Sequence, residues 1–411
     1  MNILDKNNLS VRRFNWVLAR RSLMWLAFFV VMLTFNDYGI SWDEPIQRYY
    51  GNTVVLFWRS GFTDLRALNT LNMALYGGAF DAFLRLMEAI SPFGSFDTRH
   101  LFNALSGLVG VIGAARLAAF VAGDKNGPLA GFVATVLLLS TPSWWGHMFI
   151  NPKDIPLGSA GVWVIYYIAR LGARMPDAPL KLCLKLGLAL GLALSARIGA
   201  SVYIFYAAIL LFAWFAAGGR VGLLFWAKLL LIVAVAYVLM ISLWPAALVD
   251  PIGAPLAALK QTSHFSWRHK IQVSYFGDII DARNLPWHYA PVYLAIKLPL
   301  AVLLFGIGGL GLIGYRLFRA HGGKNAIFAN GAILLGATFP VFYTMLAGSV
   351  LYDSIRHLLF VIPPLVAAGS VLIARLASIK TARLALGAAL GVLLIFPLTQ
   401  MVRLHPYQYV F

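Results

Sequence analysis

The stretch LMWLAFFVVMLTFNDYGISWDEP, residues 23–45, joins an apolar run directly to three carboxylates. The apolar run extends over positions 16–36, which is about the 20 residues needed to cross the hydrocarbon core of a bilayer. Asp37, Asp43 and Glu44 follow it. The whole chain contains only 15 Asp and Glu residues. Three acids directly after one membrane-length segment therefore suggest a functional role.

The composition places the rest of the chain in a membrane as well. The protein has 411 residues, of which 60% are hydrophobic and 12% charged, and apolar runs of spanning length recur along it. We predict one integral membrane unit over residues 1–411. The first apolar run lacks a signal-peptide cleavage site and is expected to stay as an anchor. Cys183 is the only cysteine, so an intrachain disulfide is excluded.

The predicted fold is an all-α polytopic membrane protein with about eleven transmembrane helices, within a range of roughly ten to thirteen. Spans 5 and 6 are short, and LSARIGAS (194–201) between them is either a loop or a break inside the membrane. The predicted spans lie near 16–36, 100–121, 128–146, 156–172, 183–196, 200–217, 222–244, 291–314, 326–347, 357–377 and 383–401.

The distribution of charge orients the chain. The net charge is +18, and each predicted inner loop holds Lys or Arg, which places the N-terminus in the cytoplasm. This basic side suits anionic lipid or a phosphate-bearing substrate, and we expect no nucleic acid as partner. Three acids (Asp5, Asp124 and Asp177) fall inside, and the other twelve of the 15 fall outside with seven of the eight histidines. We therefore expect the chemistry on the outer, periplasmic face of the inner membrane.

Two long segments lie on the predicted outer side. The first outer segment (37–99) contains the amphipathic stretches IQRYYGNTVVLFWRSG (46–61) and YGGAFDAFLRLMEAIS (76–91), which are typical of helices lying in the membrane interface. The second outer segment (245–290) includes HFSWRHKIQVSYFGD (264–278), whose aromatic and basic residues suit a lid at headgroup depth.

Asp43 and Glu44 are the first candidate site residues. Asp43 could act as a general base that takes a proton from an attacking hydroxyl or amine. The alternative is a solvated loop whose acids cap a helix that begins at Pro45.

The stretch WWGHMFINPKDIP (144–156) supplies a second carboxylate in a short outer loop. Asp154 could face Asp43, and Lys153 could hold a phosphate as a point charge. The alternative is an Asn-Pro turn in which Asp154 caps the following span.

Arginines at the predicted outer ends of spans form a third group. Arg99 lies beside His100, Arg197 lies between spans 5 and 6, and Arg356 opens span 10. An unpaired arginine in lipid costs about 2.5–3.5 kcal/mol on the insertion scale, so each needs a carboxylate or a substrate anion, unless it snorkels to the headgroups. Arg356 follows Asp353 by three residues, which also allows a local ion pair.

No metal or nucleotide site is apparent. The histidine spacing does not predict a dedicated metal site, although a loosely bound divalent ion near Asp43 and Asp154 stays open. No nucleotide-binding motif is present. An activated donor must then arrive through the membrane, as a polyprenyl-phosphate sugar does, and cations would stabilise its departing phosphate.

An ordered set of stretches resembles the GT-C glycosyltransferases, in particular the protein O-mannosyltransferase-like and aminoarabinose-transferase-like group that uses lipid-phosphate sugars. The stretches are GISWDEPIQRYYG (39–51), RHLFNAL (99–105), GHMFINPKDIP (146–156), LPWHYAPVYLAIKLP (285–299), YDSIRHLLFVIPPL (352–365) and LHPYQYV (404–410).

The resemblance implies a set of roles for these residues. It implies a catalytic acid at Asp43 with Glu44 beside it, and a second acid at Asp154. It also implies donor-phosphate contacts at Lys153, Arg197, Arg356 and Arg48. We expect supporting roles for residues of the same motifs, namely Arg99, His100, His147 and His357.

The resemblance further implies an inverting glycosyltransferase, a hexosyl- or pentosyltransferase of the cell envelope. Its partners would be membrane lipid, a polyprenyl-phosphate sugar donor and an acceptor protein, lipid or glycan. Two other functions stay open: a flippase or transporter of lipid-linked saccharide, and an envelope glycan polymerase or ligase. Relatives often carry further spans or an outer domain, whereas this chain ends at HPYQYVF. Acceptor binding is therefore expected to rest on the two outer segments or on a partner.

Overall fold

The computed structural model describes residues 14–263 and 271–411. The stretch HFSWRHK (264–270) of the predicted lid lies outside the described residues. Up to residue 242 the helices are α1 (Trp16–Thr34), α2 (Glu44–Arg59), α3 (Ala79–Ile90), α4 (Ser95–Leu139), α5 (Pro142–Ile150), α6 (Asp154–Gly172), α7 (Leu180–Ala196), α8 (Val202–Ala216) and α9 (Leu223–Ser242).

The remaining helices include those of the second outer segment. They are α10 (Pro245–Val249), α11 (Gly253–Ser263), α12 (Tyr289–Lys297), α13 (Leu300–Phe318), α14 (Ala326–Ala347), α15 (Ile362–Leu376) and α16 (Arg383–Arg403). A small antiparallel hairpin pairs β1 (Gln272–Tyr275) with β2 (Asp278–Asp281). The short 3-10 helices are Phe35–Asp37, Leu65–Leu68, Leu71–Leu75, Ile198–Ser201, Arg356–Val361, Lys380–Ala382 and Gln408–Val410.

Long apolar helices dominate the structure, and the predicted class, an all-α polytopic membrane protein, is confirmed. Within the described residues, eight helical segments are long and apolar enough to cross a membrane. These segments are Trp16–Asp37, Ser95–Leu139, Ile198–Ala216, Leu223–Ser242, Leu300–Phe318, Ala326–Ala347, Arg356–Leu376 and Lys380–Arg403.

The count of eight differs from the prediction of about eleven spans for identifiable reasons. Helix α4 has 45 residues and covers two predicted spans, 100–121 and 128–146, which meet at a kink where Gly123 has a φ of 76°. Helices α6 and α7 lie on the predicted spans 156–172 and 183–196 but are not among the eight. Helix α7 is short for a span, with 17 residues.

Two predicted span boundaries are wrong, and proline explains both. The predicted span 128–146 ends early because α4 stops at Leu139 and Pro142 opens the separate helix α5. The predicted span 291–314 is divided because α12 ends at Lys297 and α13 begins directly after Pro299. Proline lacks the N–H that would continue the preceding helix, but it fits the start of a new one.

Helix α15 lies in the middle of the bundle, packed on α4 and α13. Its contact with α13 is close because glycines face it: a Cβ at Gly309 would overlap the backbone of Ala368, and one at Gly306 would lie 2.7 Å from a Leu365 methyl carbon. Small residues at such crossings allow membrane helices to approach. Helix α6 packs between α4 and α7.

The helices α2 and α3 of the first outer segment confirm the two predicted amphipathic helices. Buried ions fasten α3 to α4. Arg99 donates to Asp81 (2.9 Å) and Glu88 (3.3 Å), and all three side chains are buried. Breaking such a buried pair typically costs about 3–5 kcal/mol. Helix α2, which carries Asp43 at its N-terminus, packs on α3 and is joined to the first residue of α4 by the hydrogen bond from Arg48 to Ser95 (2.9 Å).

Candidate active site

Asp43 lies at the N-terminus of α2 and turns its carboxylate towards another part of the chain. It occupies the N-cap position but makes no side-chain capping hydrogen bond, and Pro45 lies in the first turn. Its Oδ2 instead accepts a hydrogen bond from Nη2 of Arg356. The alternative role of Asp43, capping the helix with its side chain, is therefore not what its carboxylate does in the structure.

Asp154 is the first residue of α6 and is almost fully buried. Asn151 holds it twice: the Asn151 Oδ1 accepts from the Asp154 backbone N–H (3.0 Å), and the Asn151 Nδ2 donates to Asp154 Oδ2 (3.0 Å). The carboxylate also accepts from Nη1 of Arg197 and from Nε of Arg356 (3.1 Å). Lys153, not Asp154, takes the N-cap position. Asp154 thus binds two guanidinium groups.

Arg356 joins the two acids. Its guanidinium contacts Asp43 through Nη2, Asp154 through Nε and Asp353 through Nη1 at 3.0 Å. The backbone just before it is strained, because Asp353 and Ser354 have φ values of 55° and 64°, and two such residues in succession cost energy that the surrounding structure must offset. The local ion pair between Arg356 and Asp353 is therefore present. Arg356 also contacts Asp43 and Asp154, which are distant from it in the sequence.

Arg197 and Lys153 complete the cluster around a tyrosine that the sequence analysis did not single out. Arg197 stands in the break between α7 and the 3-10 turn Ile198–Ser201, in an extended conformation. Tyr76 lies under both cations, with its ring centre 4.5 Å from the Lys153 Nζ and 5.7 Å from the Arg197 Cζ. Burial lowers the pKa of Lys153, although the charges of Asp43 and Asp81 oppose that shift. Lys153 forms no ion pair within 14–263 and 271–411, so its charge is available to a bound anion.

The structure directs Glu44 away from this cluster. Its side chain is fully buried; Oε2 accepts from the Ser41 N–H (2.6 Å), and Oε1 lies 3.0 Å from Nε2 of the equally buried His100. The Ser41 hydroxyl in turn donates to the carbonyl oxygen of Ile150 (2.9 Å). Glu44 therefore ties the Asp43 loop to α4 through His100, while Ser41 ties the same loop to Ile150, which directly precedes the loop before Asp154. Glu44 and His100 thus have a positioning role.

Arg48 and Arg99 lie in the outer segment instead of against Asp43 or Asp154. Arg48 contacts Glu88 (3.0 Å) and Ser95 (2.9 Å), and Arg99 contacts Asp81 and Glu88. The structure therefore does not bring Arg48 to the predicted phosphate contacts. For Arg99, the supporting role is that of a structural anchor.

Of the three predicted supporting histidines, His147 and His357 lie close to the cluster, whereas His100 contacts Glu44. His147, on α5, is buried, and this burial together with the charge of Arg356 lowers its pKa to about 3. It is therefore neutral at ordinary pH. His357 follows Arg356 and stands edge-on to the Tyr352 ring, 4.5 Å between ring centres. In the part of the chain that is described, no three His, Cys, Asp or Glu residues are grouped as metal ligands.

An apolar groove opens beside the cluster. It has a volume of about 640 Å³ and is lined by α3, α4, α6 and α7, with one further residue, Leu243, from the end of α9. Helix α6 contributes Pro156, Ser159, Ala160, Trp163 and Tyr167 to its wall. Pro156 comes two residues after Asp154, and Ala196 of the opposite wall directly precedes Arg197. The charged cluster thus stands at one end of an apolar slot.

Comparison with known proteins identifies the fold. No protein-family model and no curated protein sequence matches the chain. Among solved structures, it is similar to ArnT from Cupriavidus metallidurans bound to undecaprenyl phosphate (TM-score 0.60, 18% identity), covering 91% of this chain and 63% of that one. It is also similar to the oligosaccharyltransferase AglB from Archaeoglobus fulgidus in complex with an inhibitory peptide and a dolichol-phosphate (TM-score 0.57, 11% identity), covering 94% and 56%.

These neighbours have the GT-C fold of glycosyltransferases, and the predicted fold is confirmed. The chain spans less than two thirds of the length of either neighbour.

Proposed function

We propose that the protein is an inverting glycosyltransferase that moves a sugar from a polyprenyl-phosphate donor to an acceptor at the outer, periplasmic face of the inner membrane. One observation carries the proposal. Asp43 and Asp154, from two separate loops, meet on the guanidinium of Arg356 at the mouth of an apolar groove. A carboxylate pair, clustered cations and an apolar slot are the parts that transfer from a lipid phosphate needs.

The charge of the cluster suits a phosphodiester. Lys153, Arg197 and Arg356 contribute three positive charges, and Asp43 and Asp154 contribute two negative ones. Asp353 also contacts Arg356, but it is largely exposed, so solvent screens its charge and it is left out of the sum. The surplus is one positive charge. A sugar linked to a polyprenol through one phosphate carries one negative charge, so the bound site would be neutral, which favours binding in a site of low dielectric.

The groove suits the lipid part of such a donor. Its wall along α6 runs from Pro156 to Tyr167, about 16 Å at 1.5 Å per helical residue. Apolar chains bind to such a surface because their burial removes apolar area from water. Two neighbours of the same fold were solved with undecaprenyl phosphate or dolichol-phosphate, which supports a polyprenyl chain as the occupant.

The proposed reaction balances in atoms and charge. The acceptor hydroxyl or amine attacks the anomeric carbon and transfers its proton to Asp43. The bond from that carbon to the phosphate oxygen breaks, and polyprenyl phosphate leaves with the electron pair. The leaving phosphate gains one negative charge as Asp43 becomes neutral, so the total charge of the site stays constant. Lys153, Arg197 and Arg356 stabilise the charge that develops on the phosphate.

Accessibility assigns different roles to the two acids. The Asp43 side chain is 29% exposed, whereas that of Asp154 is 4% exposed and bound by two arginines and Asn151. Asp43 is therefore the carboxylate that an acceptor can reach. Asp154 positions Arg197 and Arg356. A donor phosphate would compete with Asp43 for Nη2 of Arg356 and so free the carboxylate for proton transfer.

The test is whether the purified, reconstituted protein releases free polyprenyl phosphate from polyprenyl-phosphate sugars when candidate acceptors (peptide, lipid or glycan) are supplied. Release together with a glycosylated acceptor is expected. Movement of the intact lipid-linked sugar across the bilayer without release would instead identify a flippase.

A further inference from the structure

A group of cations lies at the end of the groove away from Asp154. We call it the cation cluster, and it consists of Arg20 on α1, Arg116 on α4, Arg170 on α6 and Lys185 on α7. Lys185 lines the groove itself, opposite Trp163 and Tyr167 of α6. Four helices thus bring positive charge to one end of an apolar slot, whose other end carries the candidate active site.

Aromatic rings contact two members of the cation cluster, Arg116 and Arg170. The Arg116 guanidinium lies over Trp163 at 5.2 Å, and that of Arg170 lies over Tyr166 at 5.7 Å while donating to its hydroxyl at 2.8 Å. Tyr167, on the groove wall, lies close enough to Arg116 and Arg170 for their charges to act on its hydroxyl. The guanidinium groups of Arg116 and Arg170 therefore adjoin the groove wall.

The cations of this cluster lack carboxylate partners. None of the ion pairs in residues 14–263 and 271–411 involves them, and the charges of Arg20 and Arg116 repel each other. Arg20 and Arg170 are also half-buried. Unpaired, partly buried cations near lipid are costly, and basic pockets between membrane helices bind anionic headgroups.

We propose that this end of the groove binds an anionic phospholipid from the leaflet opposite the candidate active site. The headgroup phosphate contacts the cation cluster. One acyl chain enters only the far end of the groove, beside Trp163 and Tyr167, and leaves the part from Pro156 to Ala160 to the proposed donor chain. A general excess of Lys and Arg at helix ends would account for the positive charge. It does not account for the shared aromatic contacts or for the apolar slot that continues from them.

The experiment is native mass spectrometry of the purified protein with phosphatidylglycerol or phosphatidylcholine. Phosphatidylglycerol should bind in preference, and the double variant Arg116→Gln/Arg170→Gln should weaken its binding about tenfold or more. The matched control is Arg220→Gln/Arg383→Gln, which removes two exposed cations outside the cluster and should change binding less than twofold. Equal loss in both double variants, or no headgroup preference, would overturn the proposal.

A further variant and a displacement measurement complete the test. If the double variant does not fold, Lys185→Gln, at an exposed position of α7, should still weaken binding about threefold, and unchanged binding would count against the proposal. Displacement of phosphatidylglycerol by equimolar polyprenyl phosphate would assign this end to the carrier and also overturn it. Because the readout is lipid binding, the result stands whether or not the protein proves to be a glycosyltransferase.

Discussion

The guanidinium of Arg356 donates a hydrogen bond to the carboxylate of Asp43, although 313 positions separate the two residues. The same group reaches Asp154, so one arginine sets the relative placement of both acids. The proposed chemistry depends on this geometry.

The branched guanidinium of Arg356, called its fork because its three nitrogens contact three carboxylates, should be essential for sugar transfer. In Arg356→Lys, a single ammonium replaces three donors that point to Asp43, Asp154 and Asp353. We expect kcat/KM for the lipid-phosphate sugar to fall about a hundredfold, by analogy with the loss of one charge-stabilising donor. Arg283→Lys, at an exposed pair with Asp281, is the control and should keep normal kinetics. Near-normal kcat/KM in Arg356→Lys would contradict the role of the fork.

Asp154 should matter for stability as well as activity. Asp154→Asn leaves Arg197 and Arg356 close together without their shared counter-charge, and removal of one partner from a buried pair costs about 3–5 kcal/mol. We expect a clear drop in the thermal unfolding temperature together with loss of transfer. Asp64→Asn, which disrupts an exposed pair with Arg66, should leave both unchanged. An unchanged Tm in Asp154→Asn would argue against the buried network.

Lys153 should give donor binding a dependence on alkaline pH. Burial lowers its pKa below the ordinary lysine value of 10.5, so its positive charge is lost as pH rises through this lowered pKa. Affinity for polyprenyl phosphate should therefore weaken at a lower pH than an ordinary lysine would give. Lys153→Arg keeps its charge over that range and should remove the alkaline decline. The same decline in Lys153→Arg would show that another group causes it.

The groove should govern KM for the donor. Ala160→Phe places a ring in the slot and should raise KM for a long polyprenyl donor about tenfold, an effect of roughly 1.4 kcal/mol. A short-chain analogue should be affected less. Ala388→Phe, on the exposed face of α16, controls for the added ring. Equal KM values for Ala160→Phe and wild type would mean that the chain lies elsewhere.

Much of this arrangement could be predicted from the sequence. Asp43 and Asp154 were identified because each follows an apolar segment in a short or acid-rich loop, and Arg197 because it interrupts an apolar stretch. The sequence could not predict that both acids meet on Arg356, because this depends on how the segments before α2, α6 and α15 come together in space.

Arg48 shows most clearly what could not be predicted from the sequence. It lies in the same stretch as Asp43, but five residues further along a helix correspond to a rotation of about 140°, so its side chain leaves the cluster and reaches Glu88. Glu44, one position after Asp43, turns inward to His100 for the same reason. The sequence did not single out Tyr76 or Asn151. A tyrosine beneath two cations and an asparagine that orients an acid have no characteristic spacing in a sequence.

The role of Asp43 is tested most directly by measuring polyprenyl-phosphate binding and sugar transfer on the same purified preparation of Asp43→Asn. We expect binding to be retained or strengthened, because Arg356 loses a competing carboxylate. We expect transfer to fall by about 10²–10⁴-fold, the usual contribution of a general base. Near-normal transfer by Asp43→Asn with intact binding would contradict the assignment of Asp43 as the base.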